Sequence, residues 1–253
     1  MIKTILFFCF LYIVYFNSAF SEESIDLFNK ANSLYQKGNF KEAIKYYEKI
    51  VNYGYNSGEV FYNLGNSYYR LKKYPYAILN FERAKRINPS DEDIDFNLKI
   101  ANLQIVDKIE PLPKFFITEW FEGIRDTFSS STWAIFTTIL FWITLFSLAL
   151  FWYLYSSLLR RVFFSLGIVG IAFTIISLTF SYQMYNKETH HTEGIIFTPT
   201  ISVKSAPDES GTDIFILHEG TKVSVLDSLS NWKKIRIANG NVGWIHSKEF
   251  EII

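Results

Sequence analysis

TFSSSTWAIFTTILFWITLFSLALFWYLYSSLL, residues 127–159, carries no charged side chain, and neither does VFFSLGIVGIAFTIISLTFSYQMYN, residues 162–186. Only Arg160 and Arg161 part the two runs. They are 33 and 25 residues long, each beyond the roughly 20 apolar residues that cross a bilayer core. The pattern predicts two transmembrane helices, at 131–155 and 162–184, joined by a turn at 156–161. The positive-inside rule puts such an Arg-Arg pair in the cytoplasm, so Arg160 and Arg161 are the expected topology determinants. Both soluble flanks would then share the opposite side of the bilayer. Neither span holds an ionisable residue, which argues against an ion or proton path. Ser165, Gly167, Gly170, Thr174, Ser177 and Thr179 give the second span small residues that permit close helix packing.

The N-terminus reads as an export signal over residues 1–21. Lys3 supplies positive charge, Ile5 to Phe16 form an apolar stretch, and Ser18, Ala19 and Ser21 are small residues suited to cleavage after Ser21. An uncleaved anchor is the rival reading. Cys9, the only cysteine, lies in this segment and is followed by Phe10, so it lacks a lipobox context. Removal of the signal leaves no thiol for a disulfide, a metal site or a nucleophile. With 25 basic and 25 acidic residues the net charge is zero. No basic excess exists to bind a phosphate backbone, which excludes nucleic acid as an expected partner.

Residues 22–110 contain a repeat. Ala31, Gly38, Phe40, Ala43 and Tyr47 lie 34 residues before Gly65, Lys72, Tyr74, Ala77 and Phe81. Small residues at 31 or 65 and at 43 or 77 let two helices approach, aromatic rings fill the space around them, and Pro89 stops the last helix. This pattern resembles the tetratricopeptide repeat, with copies at 24–57 and 58–91. The first copy departs from it at Lys30 and Leu34. Asp91 to Asp107 continues as an amphipathic helix with an acidic first turn, expected to cap the open apolar end of the array. The resemblance implies a peptide-binding groove on the first helix of each repeat, at Phe28, Asn32, Tyr35, Tyr62, Asn63, Asn66, Tyr69 and Arg70. Asn32 and Asn63 match asparagines that hold a peptide backbone or carboxylate. Phe28 and Asp93 stand where that subset has basic residues, which favours an apolar ligand over a terminal carboxylate. The same Tyr and Asn residues also fit a plain solvated face.

Between repeats and spans, residues 111–130 open with Pro111 and Pro113. Phe115, Phe116, Trp120, Phe121, Ile124 and Phe128 then alternate with Lys114, Glu119, Glu122, Arg125 and Asp126, as in a short interfacial helix. A helix packed under the repeats is the alternative. After a linker at 185–194 containing His190 and His191, the period changes to two over 195–253. Strands are expected at Ile201–Lys204, around Phe215 and Leu217, at Val223 and Val225, at Trp232–Ile237 and at Gly243–Ile245, with an Asn-Gly turn at Asn239–Gly240. Val203–Pro207, Glu219-Gly220, Trp232–Ile235 and Asn239–Ile245 together resemble a bacterial SH3-like domain. Trp232 is expected as its partly exposed recognition ring and Trp244 as core. The four histidines lack the companions of a metal site.

No G-x-S-x-G, GxxxxGK, GxGxxG or HExxH motif is present. No catalytic residue, metal or cofactor is expected. The fold class is therefore a multidomain membrane protein: an all-α repeat solenoid, a two-helix transmembrane hairpin and an all-β SH3-like barrel. The order of these modules resembles the Bacteroides aerotolerance (Bat) family, in its BatE-like form. The resemblance implies membrane-anchored von Willebrand A-type protein partners and a role in oxidative-stress tolerance or envelope maintenance. The expected function is a non-catalytic inner-membrane scaffold with both soluble domains in the periplasm, contacting proteins and the lipid bilayer. A peptidoglycan-binding anchor acting through the SH3-like domain, and an assembly factor for exported proteins, remain as alternatives.

Overall fold

The computed structural model describes residues 23–113, 115–189 and 192–253. The expected signal segment, Lys114, His190 and His191 lie outside the described residues. The chain divides into two compact units, one formed by the repeats with the C-terminal domain and one by residues 112–192 with the short segment 86–91.

The array holds five helices: α1 over residues 23–36, α2 (Phe40–Asn52), α3 (Gly58–Arg70), α4 (Tyr74–Ile87) and α5 (Glu92–Asn102). Each helix starts where the sequence offers a break. Ser57, for example, caps α3 by accepting a hydrogen bond from the Val60 N–H at 3.2 Å. The small and aromatic residues of the 34-residue pattern form the core: Ala31, Ala43, Tyr47 and Ala77 are wholly buried, and Phe81 nearly so. Gly65 is required by close approach, since a Cβ there would lie 2.7 Å from the Phe81 ring. α5 covers the open end with Ile94, Leu98 and Ala101. It stops at Asn102, short of the expected continuation to Asp107. Beyond that end, the Asp107 carboxylate is engaged by His218 and Thr221 of the C-terminal domain.

That domain is an antiparallel sheet of seven strands: β1 (Glu193–Ile196), β2 (Thr200–Lys204), β3 (Asp213–His218), β4 (Lys222–Leu229), β5 (Trp232–Arg236), β6 (Val242–His246) and β7 (Phe250–Ile252). Their order is β3-β2-β6-β5-β4-β1-β7. Ile196, Val203, Leu217, Val223, Ile235 and Ile245 fill its core. Trp244 is not part of it. In β6 the inward positions are Gly243 and Ile245, so strand alternation turns Trp244 outward. β1 begins inside the stretch expected as linker and pairs with both β4 and β7.

β1 and β7 also join the sheet to the array. Ile195 and Ile253 are buried in the same apolar cluster as Ala43, Tyr47, Ile78 and Leu79, with Phe197 packed against it. Phe197 meets the Tyr76 ring edge-on at 4.7 Å. Gly220, with φ of 88°, lies so close to Ile105 that a Cβ would stand 2.4 Å from its methyl group. Polar contacts surround this apolar joint. Arg83 donates to Glu251 at 3.0 Å and to the Ile252 carbonyl at 2.8 Å. Lys222 Nζ reaches Glu82 and Glu193, each at 2.9 Å. Burial would lower the Lys222 pKa, but those two carboxylates outweigh it and the net shift is upward.

The second unit contains α6 (Phe116–Arg125), α7 (Ser130–Tyr153) and α8 (Ser157–Thr189). α7 and α8 are long and apolar enough to cross a membrane by length and composition. Only residues 154–156 separate them, so Arg160 and Arg161 lie in the opening turns of α8 and not in a loop. Nothing in Ser157–Leu159 opposes helix, and α8 therefore starts before the arginines. The helices pack through their small residues. A Cβ on Gly167 would lie 2.4 Å from a Leu148 methyl, and one on Gly170 would lie 2.3 Å from Thr144 Oγ1. Thr137 donates to Ser177 at 2.8 Å, and Ser147 donates to the Phe163 carbonyl at 2.9 Å. At the other end of the hairpin, Glu188 accepts from the Ser130 N–H at 2.8 Å and from its hydroxyl. Asp126 there bonds Arg125 and Lys187, each at 2.7 Å. Burial would raise the Asp126 pKa, but these two cations hold it below the usual carboxylate value. Phe116, Trp120 and Phe121 of α6 remain exposed.

Candidate interaction site

The eight expected groove residues fall on α1 and α3, and the repeat symmetry gives them matched partners. Phe28 packs on Tyr47 at 6.1 Å, and Tyr62, 34 residues later, packs on Phe81 at 6.0 Å. Tyr35 meets Phe40 at 5.2 Å, and the equivalent Tyr69 meets Tyr74 at 5.6 Å. These four rings are half-buried. A large part of their surface is therefore spent joining the two helices of each repeat. Arg70 is exposed, and its guanidinium covers the Phe40 ring at 4.8 Å.

The asparagines form a ladder across the first helices. Asn32 Oδ1 accepts from the Tyr47 hydroxyl at 2.5 Å and from Asn63 Nδ2 at 3.3 Å. Asn97 of α5, which sequence reasoning did not single out, donates to Asn66 Oδ1 and to the Tyr62 hydroxyl, each at 2.9 Å. Asn63 and Asn97 are 34 residues apart, so the repeat register could have found Asn97. Burial holds the Tyr47 phenol well above its ordinary pKa, which keeps it a hydrogen-bond donor. This face carries half-buried amides with spare capacity, a surface suited to an extended backbone.

A second candidate lies on the sheet. Trp232 of β5 borders a cleft of about 190 Å³ with Thr200, Ser202, Lys204, His246 and Glu249. Strand pairing sets Trp232 opposite His246, and their rings lie 3.9 Å apart. Glu209, from the loop after β2, holds His246 Nε2 at 2.8 Å, and Glu249 accepts from the Thr198 hydroxyl. Trp232 is half-buried and forms one half of a two-ring pair with His246. His246 and Glu249 were missed because neither has a local sequence signal. None of the cleft residues belongs to the joint with the array. Among the described residues, no cluster of three or more His, Cys, Asp or Glu side chains could hold a metal.

Residues 58–91 match the tetratricopeptide repeat family, residues 25–56 match it a second time, and residues 199–251 match the bacterial SH3 domain family. No curated protein matches the chain. The N-terminal part is thus similar to two tetratricopeptide repeats, and the sheet is similar to the bacterial SH3 domain. Both are typically non-catalytic interaction modules, which points to protein interaction or peptidoglycan binding.

Proposed function

We propose that this chain is a non-catalytic scaffold of a bacterial inner membrane, which presents one rigid two-module body on the periplasmic side. The observation that carries this reading is the joint apolar cluster in which Ile195 and Ile253 of the sheet pack among the repeat core. A hairpin whose two ends both connect to one folded body must return to the side from which it started. Arg160 and Arg161 at the start of α8 then mark the cytoplasmic end. The outward faces of α7 and α8 expose Ile139, Trp142, Phe146, Leu166 and Ile168, a surface suited to lipid. The exposed rings of α6 would lie in the interfacial layer beside it.

The array face with Asn32, Asn63, Asn66 and Asn97 is proposed to hold an extended segment of a membrane partner, with Tyr62, Tyr69 and Arg70 at its border. By resemblance to BatE-like proteins, the partners are von Willebrand A-type members of a Bat complex acting in aerotolerance or envelope stress. The test has two parts. Reporters fused at residues 154–156 and after Ile253 should report cytoplasm and periplasm, respectively; a cytoplasmic C-terminus would remove the shared-platform reading. The intact protein should also recover membrane partners from envelope extract and lose them on Asn63→Ala with Asn97→Ala. Recovery unchanged by both substitutions would remove the array face.

A peptidoglycan anchor is the second reading. It is favoured by the Trp232–His246 cleft, which the joint leaves uncovered. Co-sedimentation of the full protein with sacculi, lost on Trp232→Ala, would support it over the protein-binding reading.

A further inference from the structure

Where the array meets strand β7, a cavity of about 330 Å³ is lined by Glu48, Tyr68, Tyr76, Asn80, Arg83 and Glu251 among others. That volume is at the small end for ligand sites and suits one side chain better than a cofactor. Asn80 is 3% exposed. Its Nδ2 donates to the Tyr76 carbonyl at 2.8 Å, but its Oδ1 has no hydrogen-bond partner among the described residues. A buried acceptor left in this state is costly and is ordinarily met by a donor.

The surrounding charge says which kind of donor. Two carboxylates, Glu48 and Glu251, face one guanidinium, Arg83, which is already bonded to Glu251 and to the Ile252 carbonyl. Among the described residues, Glu48 accepts from a neutral donor, the Tyr68 hydroxyl. Tyr68 and Tyr76 stack at 5.0 Å and supply an aromatic wall. Lys73 Nζ approaches the same two rings at 6.0 and 5.6 Å but does not border the cavity. Aromatic faces, a surplus carboxylate and an unmet acceptor together select a cation with N–H groups.

We propose that this cavity is a binding site for one basic side chain, lysine or arginine, carried by a partner protein. The site exists only while array and sheet are joined, because Glu251 comes from the sheet and the other named walls from the repeats. A partner bound here would read the assembled body and not either module alone. This inference goes beyond the scaffold reading and does not depend on membrane orientation.

The test uses the full chain in detergent micelles, with tyrosine rings carbon-13 labelled and the Tyr68 and Tyr76 signals assigned through phenylalanine variants. The probes are Nα-acetyl-lysine amide and Nα-acetyl-arginine amide, with the citrulline and norleucine analogues as neutral controls. The expected result is a saturable shift of the Tyr68 and Tyr76 signals with a basic probe, an affinity at least tenfold weaker in Glu48→Gln, and no response to the controls. Asn80→Leu, nearly the same shape but without the unmet acceptor, should weaken the response; if it fails to fold, Glu48→Gln decides alone. An equal response to citrulline, no response to either basic probe, or unchanged affinity in Glu48→Gln would overturn the proposal.

Discussion

Asp107 accepts two hydrogen bonds from His218, one from its backbone N–H at 2.7 Å and one from ring Nδ1 at 2.8 Å. The same carboxylate takes the Thr221 hydroxyl at 2.6 Å. A residue just beyond the repeats thereby closes the turn between β3 and β4, more than a hundred positions later. Asp107→Ala orphans these donors, including the buried Thr221 hydroxyl. The expected cost is about 2–4 kcal/mol. Hydrogen exchange should show the loss as faster opening at β1, β4 and β7 before the rest of the sheet. Protection unchanged there would mean the joint does not depend on this carboxylate.

Acid should act through the same group. Burial would raise the Asp107 pKa, but the hydrogen bonds from Thr221 and His218 outweigh it and the net shift is below the ordinary 3.8. A depressed carboxylate contributes stability that is fully present above its ordinary value and disappears as pH falls through its folded one. Coupling of array and sheet should therefore hold to about pH 4 and weaken below it. Asp107→Asn should flatten that part of the profile. Exchange protection measured from about pH 5 to pH 2 checks both.

Gly38 and Lys72 occupy equivalent positions in the two repeats, and both are left-handed, with φ of 79° and 59°. Glycine takes this conformation without a Cβ penalty, whereas lysine does not. Lys72→Gly should raise the thermal stability of the array by up to about 1 kcal/mol. The reverse change, Gly38→Lys, should lower it by a similar amount. Nothing lies within 4 Å of a Cβ at Gly38, so backbone strain alone is tested.

The 2.8 Å bond from Thr137 to Ser177 ties α7 to α8. On a Cys9→Ser background, cysteines at 137 and 177 should crosslink on oxidation in intact membranes. Gly170→Val places its side chain into Thr144 and should cost about 1–3 kcal/mol of helix packing. Crosslinking should drop accordingly. Undiminished crosslinking would show that α7 and α8 do not depend on this close approach.

Trp232 and His246 stack at 3.9 Å on a part of the sheet that carries no joint residue. On the wall-anchor reading, Trp232→Ala and His246→Ala should each reduce retention by sacculi while the exchange protection of β1 and β7 stays as in the parent protein. Loss of both together would mark the pair as core support and not as a recognition platform.

The repeats, the two long apolar helices and most strands were legible because each rests on a local pattern: 34 residues for the array, an uncharged run for each long helix, alternation for the strands. Legibility failed where partners are distant in sequence. α5 was expected to reach Asp107 because its apolar pattern continues, but it ends at Asn102, and Asp107 is bonded by His218 and Thr221 of the C-terminal domain. Trp244 was expected in the core because it adjoins Gly243, yet the strand's alternation gives the inward places to Gly243 and Ile245. The ring pairs that Phe28, Tyr35, Tyr62 and Tyr69 make were not legible either, because each partner ring lies on the neighbouring helix.

The amino-acid sequence by itself determined the module order, the helix and strand periods and the two long apolar helices, because these depend on residues a few positions apart. Only the tertiary structure decided that Ile195 of β1 and Ile253 just after β7 are buried in the repeat cluster, with Phe197 packed against it. Such a joint requires surfaces from opposite ends of the chain to match in shape and charge, and no local period encodes that match.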